Sequence, residues 1–441
     1  MLNILSNRTY RHLFAAQVIA LIGTGLATVA LGLLAFELAG DNAGLVLGTA
    51  LAIKMVAYVC VAPVAAAFAD RLPRRTMLVT LDLVRAAVAL LLPFVSQIWE
   101  VYVLIFVLQA ASAAFTPTFQ ATIPDVITDE KNYTKALSLS RLAYDMESLL
   151  SPMLAAALLT VISFHNLFAG TVLGFLVSAA LVVSVVLPAP PSAPRRGVYD
   201  RTTRGLRIYL ATPRLRGLLA ISAGVAAAGS MVFVNTVVIV QAGFGLTQSA
   251  VALALASFGA GSMVAALGLP RLLEKLSDRT AMLGGIGLMV LGLFAGFFVI
   301  GHSSLMVLWF VLGLGYSTAQ TPSGRLLRRS ANPEDRPALF AAQFALSHAC
   351  WLLFYPLAGW LGARFGMLAS FVVLGGAGAL AAWLASRVWP AHDPDVVEHD
   401  HPDLPAGHAH ALGAALVGQR VRHSHAFVVD DHHPHWPTLR H

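Results

Sequence analysis

Hydrophobic residues in this chain are grouped into twelve long runs separated by short polar segments. Each run holds about 20 residues, the length at which an α-helix crosses the hydrocarbon core of a bilayer. Because a backbone exposed to lipid must satisfy its own hydrogen bonds, we predict that every run is a helix, which makes this an all-α membrane protein. The predicted spans are residues 11–38, 45–68, 76–95, 101–121, 135–162, 167–187, 218–240, 249–269, 280–300, 305–326, 338–361 and 367–389.

The polar loop at residues 66–78 recurs 204 positions further along the chain, again between two apolar runs. The same offset aligns Pro152 with Pro356. Several matches in one register indicate an internal duplication, as in transporters built from parallel repeats. The acidic and basic residues of the two loops are Asp70, Arg71, Arg74, Arg75, Glu274, Lys275 and Arg279.

The duplication predicts two pseudo-symmetric six-helix bundles. We divide the chain into an N-terminal bundle (1–187), a cytoplasmic connector (188–216), a C-terminal bundle (217–389) and a histidine-rich tail (390–441). With 57% hydrophobic and only 12% charged residues, the chain has more apolar surface than a soluble protein of 441 residues can bury. We therefore place it in a membrane.

The basic residues decide the orientation. A net charge of +7 is compatible with nucleic-acid binding, but Lys and Arg are concentrated in the loops of one side and in the connector, whereas the other side carries Arg364 alone. By the positive-inside rule both termini are then cytoplasmic, in a bacterial inner membrane, and no nucleic-acid partner is implied. Cys60 and Cys350 lie inside apolar runs, so we expect neither a disulfide nor a metal pair.

Polar residues form faces on several predicted spans, most clearly on the fifth. Such faces indicate a water-filled passage, which we expect the first, fourth, fifth, seventh, tenth and eleventh spans to surround. His348 has an alternative role as a hydrogen-bonded packing residue. The predicted cavity-lining residues are Gln17, Thr24, Thr28, Gln109, Ser112, Thr116, Gln120, Ser140, Tyr144, Ser151, Gln343, Ser347, His348, Trp351 and Tyr355.

Charged residues within spans are costly and often mark an ion path. Asp82 lies three residues before Arg85, and Arg141 lies four residues before Asp145, so each pair can neutralise itself on one helix face. Glu147 has no basic residue three or four positions away. We predict that Glu147 or Asp145 exchanges the coupling proton, with local pairing as the alternative for Asp145.

The tail holds 11 of the 15 histidines, interspersed with aspartates. Imidazole and carboxylate groups at this density suit divalent ions such as Ni, Co, Zn or Cu. The alternative is an unstructured tail whose histidines are incidental. The predicted metal ligands are His399, His401, His408, His410, His423, His425, His432, His433 and His435.

The loop at 66–78 resembles the Gly-x-x-x-Asp-Arg-x-Gly-Arg-Arg signature of the major facilitator superfamily, with Ala66 and Pro73 at glycine positions. The resemblance covers about residues 1–390 and implies a conformational latch at this loop and its repeat. Pro152 is similar to the proline of the family's exporter motif. The segment FTPTFQATIPD at 115–125 resembles the drug and siderophore proton-antiporter branch, and with the tail the whole resembles histidine-tailed nickel-resistance exporters.

This resemblance implies a proton-coupled efflux transporter, and the tail favours divalent metal, nickel or cobalt, as its substrate. The alternatives are export of drugs or siderophore-like organic solutes and, from another class, a membrane metal sensor that transports nothing. The expected partners are the solute or metal ion, protons and the lipid bilayer, with no cofactor and a monomeric state. No nucleophile, base and orienting group stand at catalytic spacing, so an enzyme is not expected.

Overall fold

The computed structural model describes residues 2–39, 43–69, 72–188, 197–394, 396–401, 415–417, 420–433 and 436. They form long helices followed by a small antiparallel sheet near the C-terminus. The first half contains α1 (Arg8–Ala39), α2 (Ala43–Ala69), α3 (Arg74–Leu91), α4 (Ile98–Val126), α5 (Glu130–Leu158) and α6 (Leu167–Val183).

Local chemistry accounts for where some of these helices begin. Pro73 precedes α3 in extended backbone, with φ −55° and ψ 133°, and proline cannot donate to a preceding helical turn. The Asp129 side chain accepts a hydrogen bond from the Asn132 backbone N–H and caps the start of α5. Three residues separate the end of α4 from the start of α5, which makes the two helices sequential spans joined by a tight turn.

The second half follows an amphipathic helix in the connector. This connector helix is α7 (Val198–Ala211), which carries basic residues and precedes the spans of the second half. The spans of the second half and one short helix are α8 (Pro213–Val237), α9 (Gln248–Leu272), α10 (Asp278–Ala295), α11 (His302–Gln320), α12 (Ser323–Arg329) and α13 (Arg336–Val388).

The helix α13 contains two spans. Its 53 residues would extend ~80 Å as one rod, far more than the ~30 Å of a bilayer core. The chain turns at Gly366, whose φ of +83° is a left-handed conformation that favours glycine. Nine helices in the part of the chain that the structure describes are long and apolar enough to span a membrane. Adding α5 and α11, and dividing α13 at Gly366, gives the twelve predicted spans.

Each half has its own apolar core. In the first half α1 packs along α6 and α2 along α4; in the second, α8 packs along α13 and α9 along α11. The close α9–α11 contact requires glycine at position 261, because a Cβ there would lie 2.0 Å from the backbone oxygen of Phe310. Small residues permit such close backbone approach in membrane helices.

The tail is partly folded. Its strands β1 (Val396–His401), β2 (Ala415–Val417) and β3 (Arg420–Ala426) form an antiparallel sheet in the order β1-β3-β2. The segment after β3 packs against the second half, where Phe427 and Val429 are buried. In this region the structure differs from the alternative of an unstructured tail.

Candidate functional site

The two halves meet at the end of the bundle that holds the α2–α3 and α9–α10 loops, which we name the latch end. The Lys131 ammonium of α5 lies 2.7 Å from the Glu274 carboxylate of the second half. Asp125 at the end of α4 pairs with Arg74 of its own half and, at 2.8 Å, with Arg336 of the other half. A predicted latch residue, Arg74, thus reaches the second half through Asp125.

A second set of contacts closes the same end. Arg325 of α12 pairs with Glu130 of the first half at 2.8 Å and with Asp278 of the second at 3.1 Å. The Tyr133 hydroxyl donates to the Gly324 backbone oxygen at 3.3 Å. A Cβ at Gly324 would lie 2.9 Å from that hydroxyl. Glycine at this position therefore allows α12 to lie directly on α5.

The outermost of these ion pairs lie in solvent. The side chains of Lys131 and Glu274 are 66% and 50% exposed. Their hydrogen bond raises the pKa of Lys131 and lowers the pKa of Glu274. Exposed pairs contribute little because water screens them. Separating these exposed pairs therefore costs little free energy.

The other predicted latch residues that the structure describes, Arg75, Lys275 and Arg279, do not join this contact. Asp70 and Arg71 lie outside the described residues, and Arg75 and Lys275 are exposed. Arg279 donates to two backbone oxygens at the C-terminal end of α13, at 3.0 and 2.9 Å. Arg279 therefore joins elements of the second half to each other.

Behind the latch end lies a small, mostly apolar cavity between the halves, whose polar wall residues include Gln17, Gln120, Ser140 and Gln343. The Ser140 hydroxyl donates to Gln17 Oε1 at 3.0 Å, joining α5 to α1. Gln343 accepts a hydrogen bond from the Tyr209 hydroxyl of α7. With about 100 Å³, the cavity holds a few waters and is smaller than pockets that bind drug-sized ligands.

A charged network crosses between the halves near the middle of α5. Arg141 Nη2 lies 2.6 Å from Asp145 Oδ1. The Ser262 hydroxyl of α9 donates to Asp145 Oδ2 at 2.6 Å, and Arg141 Nε donates to Ser262 at 3.3 Å. The Arg141 guanidinium also lies 4.4 Å from the ring centre of Tyr316 on α11. The two charges therefore pair locally and also connect to the second half.

Glu147 occupies a different face of α5, inside the first half. Its carboxylate lies over α1, 3.1 Å from where a Cβ at Gly25 would stand. The positive charge of Lys54 on α2 acts on Glu147 and also on His348 of the second half. Ser151 packs against Gly25 and is 1% exposed, so it is buried against α1 and does not line the cavity.

His348 is a packing group at the α2–α13 contact. Its Nδ1 N–H donates to the Phe344 backbone oxygen at 2.7 Å. Its ring meets that of Tyr58 edge-on, with centroids 4.7 Å apart. Ser347 also bonds the Phe344 backbone oxygen, at 3.0 Å. Ser347 and His348, both predicted to line the cavity, thus donate hydrogen bonds to a backbone oxygen of their own helix.

Aromatic side chains form a wall in the second half beside the network. Trp351 lies 4.9 Å from Tyr355 and 5.9 Å from Phe233, measured between ring centroids. Phe258 lies 5.4 Å from Phe233 and 5.3 Å from Tyr316. Since Tyr316 also faces Arg141, this aromatic wall adjoins the network, with Trp351 and Phe258 buried within it.

Polar residues of α1 and α4 that lie away from the cavity behind the latch end form a separate group. Thr24, Thr28, Gln109 and Ser112 line a small pocket confined to the first half. The hydroxyls of Thr24 and Ser112 donate to backbone oxygens of their own helices at 2.9 and 3.0 Å. Thr116 on α4 is half-buried. These residues do not share the cavity behind the latch end.

The tail is fixed to the second half by arginines of α7 and α8. Arg214, 2% exposed, donates to the Phe427 backbone oxygen at 3.3 Å, and its guanidinium lies 4.8 Å from the Trp436 ring centre. Arg204 pairs with Asp431 at 2.7 Å. The folded tail is therefore packed against α7 and α8 at the latch end.

Three predicted metal ligands lie in this packed segment. His433 is buried, and its Nδ1 N–H donates to Asp430 Oδ1 at 2.8 Å. The His425 and His433 rings are 5.0 Å apart, and His432 is exposed. Burial raises the pKa of Asp430, but hydrogen bonds and charge from His433 outweigh it and bring that pKa down to about 2.

Among the described residues, no three histidine, cysteine or acidic side chains form a group that could hold a metal ion. Metal binding by the tail stays a prediction, because most of its proposed ligands fall outside the described side chains. Those ligands are His399, His401, His408, His410, His423 and His435.

Three residues that sequence reasoning did not assign to the site belong to it: Lys54, Ser262 and Tyr316. Lys54 carried one signal, a charge deep in an apolar span. Ser262 and Tyr316 carried none, since one serine or tyrosine in an apolar helix is ordinary. Only the packing of α5 against α9 and α11 brings them to Asp145 and Arg141.

Twelve spans in two matched bundles, closed at one end over a buried polar contact, define a membrane transporter. The chain belongs to the Major Facilitator Superfamily, whose model matches residues 13–234 and 219–427. Members of this family are transporters and not enzymes. The human organic anion transporter MFSD10 has the same fold, with a TM-score of 0.75 over 86% of this chain and 99% of its own, at 12% identity.

Curated relatives include exporters. Macrolide efflux protein A of Streptococcus pyogenes is 25% identical over 181 residues, 40% of this chain and 44% of that protein. The uncharacterized transporter YfiS of Bacillus subtilis is 28% identical over 174 residues, 40% of its length. The chain thus matches less than half the length of these two relatives. The uncharacterized transporter YvqJ of the same bacterium is 25% identical over 361 residues, 83% of its length.

Proposed function

We propose that this chain is a proton-coupled exporter of organic solutes in a bacterial inner membrane, with its latch end in the cytoplasm. The observation that carries the proposal is the placement of two acids on α5. Asp145 joins the halves through Ser262, and Glu147 lies inside the first half under the charge of Lys54. The orientation rests on the basic residues of the latch end.

The contacts between the halves suit one state of an alternating cycle. The latch end is closed by ion pairs and by α12 lying on α5, so the passage faces the opposite side. A proton on Asp145 removes the negative charge that holds Arg141 and Ser262. The halves then separate more readily, which couples proton binding to opening of the latch end.

The aromatic wall favours an organic solute. Phe233, which is 44% exposed, and the partly exposed Tyr355 flank the buried Trp351, and Tyr316 faces the Arg141 cation. Substrate pockets for organic molecules combine apolar surfaces with few polar groups. Export of organic molecules by the macrolide efflux relatives supports the same class.

Divalent metal, nickel or cobalt, is the second candidate substrate. The observation that favours it is the tail, where His425, His432 and His433 lie within one short segment of the folded part. In this version the tail collects the ion in the cytoplasm and the bundles export it.

Accumulation assays separate these possibilities. Cells expressing the protein are loaded with a labelled macrolide or with nickel, with and without an uncoupler. We expect uncoupler-sensitive macrolide export that Glu147→Gln or Asp145→Asn reduces at least tenfold. Glu37→Gln is the control, since this exposed acid lies at the end of α1 and its nearest basic group is His165, 3.8 Å away.

Each result selects one function. Nickel export that is lost on deletion of residues 390–441 selects the metal exporter. Binding of nickel without flux of either solute selects a non-transporting sensor. Export that resists the uncoupler, or that survives both acid substitutions, refutes the proton coupling.

A further inference from the structure

A groove at the latch end lies on the outer surface of the bundle, where α5 of the first half runs beside α9 of the second. We name it the seam groove. Both halves contribute to its lining. The residues that line it are Lys131, Lys135, Leu267, Pro270, Arg271 and Glu274.

The rim of the seam groove is positively charged. Three basic side chains face one carboxylate, Glu274, which is already paired with Lys131 at 2.7 Å. Lys135 donates to the neutral Asn132 side chain at 3.1 Å. Arg271 is exposed and has no ion pair within the described part of the chain. Lys135 and Arg271 also act on Glu274, but three cations against one carboxylate leave the rim with a net positive charge that suits an anion.

The floor of the seam groove is apolar and continues along α9 toward the centre of the membrane. Leu267 is 49% exposed, and Val264, one turn away on the same face, is 52% exposed. Both lie in the membrane-spanning part of α9. A basic rim above an apolar strip fits an amphipathic ligand with a negative head and a hydrocarbon chain.

We propose that the seam groove binds an anionic phospholipid. Its phosphate lies between Lys135 and Arg271, and one acyl chain follows Leu267 and Val264. Basic pockets between membrane helices on the cytoplasmic side recognise such head groups. Because the lipid touches α5 and α9 at once, it stabilises the state in which the latch end is closed. This proposal requires neither proton coupling nor a particular substrate.

Native mass spectrometry of the full-length protein in detergent tests the proposal, with phosphatidylglycerol and phosphatidylcholine of equal chain length as probes. We expect selective phosphatidylglycerol adducts. The double variant Lys135→Gln with Arg271→Gln should weaken their apparent affinity about 25-fold, at about fivefold per basic residue near an anionic head group. The control is Arg75→Gln with Lys275→Gln, which removes the same charge from exposed residues outside the groove.

Thermal unfolding distinguishes a lipid from a free anion. Short-chain phosphatidylglycerol should raise the unfolding temperature of the wild type and the control variant, and inorganic phosphate should not. The single variant Arg271→Gln tests the site if the double variant does not purify as a monodisperse protein. Equal binding of the two lipids, equal loss in groove and control variants, or equal effects of phosphate and lipid would each overturn the proposal.

Discussion

The hydroxyl of Ser262 offers the most direct test of how the halves are held together. It donates to Asp145 Oδ2 at 2.6 Å and accepts from Arg141 Nε at 3.3 Å, across the boundary between the halves. It is fully buried. Replacing Ser262 with Ala removes this bond from the boundary between the halves.

The size of the effect follows from the chemistry of this bond. A hydrogen bond to a charged group contributes about 1.5–3 kcal/mol. The bond exists only while α5 and α9 are together, so its loss destabilises the closed latch end and leaves the open state unchanged. A free-energy difference of ~1.4 kcal/mol corresponds to a tenfold change in an equilibrium constant. The Ser262→Ala variant should therefore shift the equilibrium between the two states about 10- to 100-fold toward opening.

Distances between spin labels across the latch end measure this equilibrium. Labels at positions 131 and 274, whose side chains are in contact, report closure in a background with Cys60 and Cys350 replaced. Ser257→Ala is the matched control, since the Ser257 hydroxyl on the same helix donates to the Met306 backbone oxygen at 2.7 Å within the second half. If both serine variants give the same distance distribution, the central network does not control closure.

Three further outcomes follow from the structure. Gly261→Ala should lower the unfolding temperature of the purified protein, because its Cβ would stand 2.0 Å from a backbone oxygen of α11, whereas Gly268→Ala, with nothing within 4 Å, should not. Trp436→Ala should make the tail sensitive to protease by removing the ring from the Arg214 guanidinium; an unchanged cleavage rate would refute this packing. The pKa of Asp430, about 2 in the fold, lies below its unfolded value of ~3.9. Tail packing should therefore be at full strength above about pH 4 and weaken as the pH falls toward 2, as hydrogen exchange of residues 427–433 can measure, and Asp430→Asn should abolish this change.

The architecture was predictable because lipid leaves the chain few choices. Apolar runs long enough to span the bilayer must be helices. The repeat of the charged loop indicated that the chain consists of two matched halves. Even α5, with Arg141, Asp145 and Glu147 inside it, was identified as a span because its apolar run is long enough to cross a bilayer. The division of α13 was predicted too, although only the structure shows the left-handed conformation at Gly366.

The site was less predictable, because helical periodicity gives a face but no partner. The polar residues of α5 contact two different helices, α1 and α9. Ser140 meets α1 through Gln17, whereas Asp145 meets α9 through Ser262. Ser151, on the same arc, is buried against Gly25. Which residue faces the passage depends on how the halves dock, and no local pattern in the sequence records it.

The distribution of burial along the contact between the halves indicates where opening is controlled. At the latch end Asp125, which pairs with Arg336 across the boundary, is only 14% exposed, whereas Glu130 and Glu274 have 65% and 50% of their side chains in solvent. The exposed pairs separate at little cost because water replaces each partner. Asp145 is only 4% exposed, but its partner Arg141 lies on the same helix, so opening breaks the bonds to Ser262 of α9 and keeps this ion pair. The contacts with little exposure, at Ser262 and at Arg336, therefore cost more to separate than the outer pairs. In the proposed coupling, a proton on Asp145 weakens its bond to Ser262, so the proposal places proton binding at a contact that opening must break.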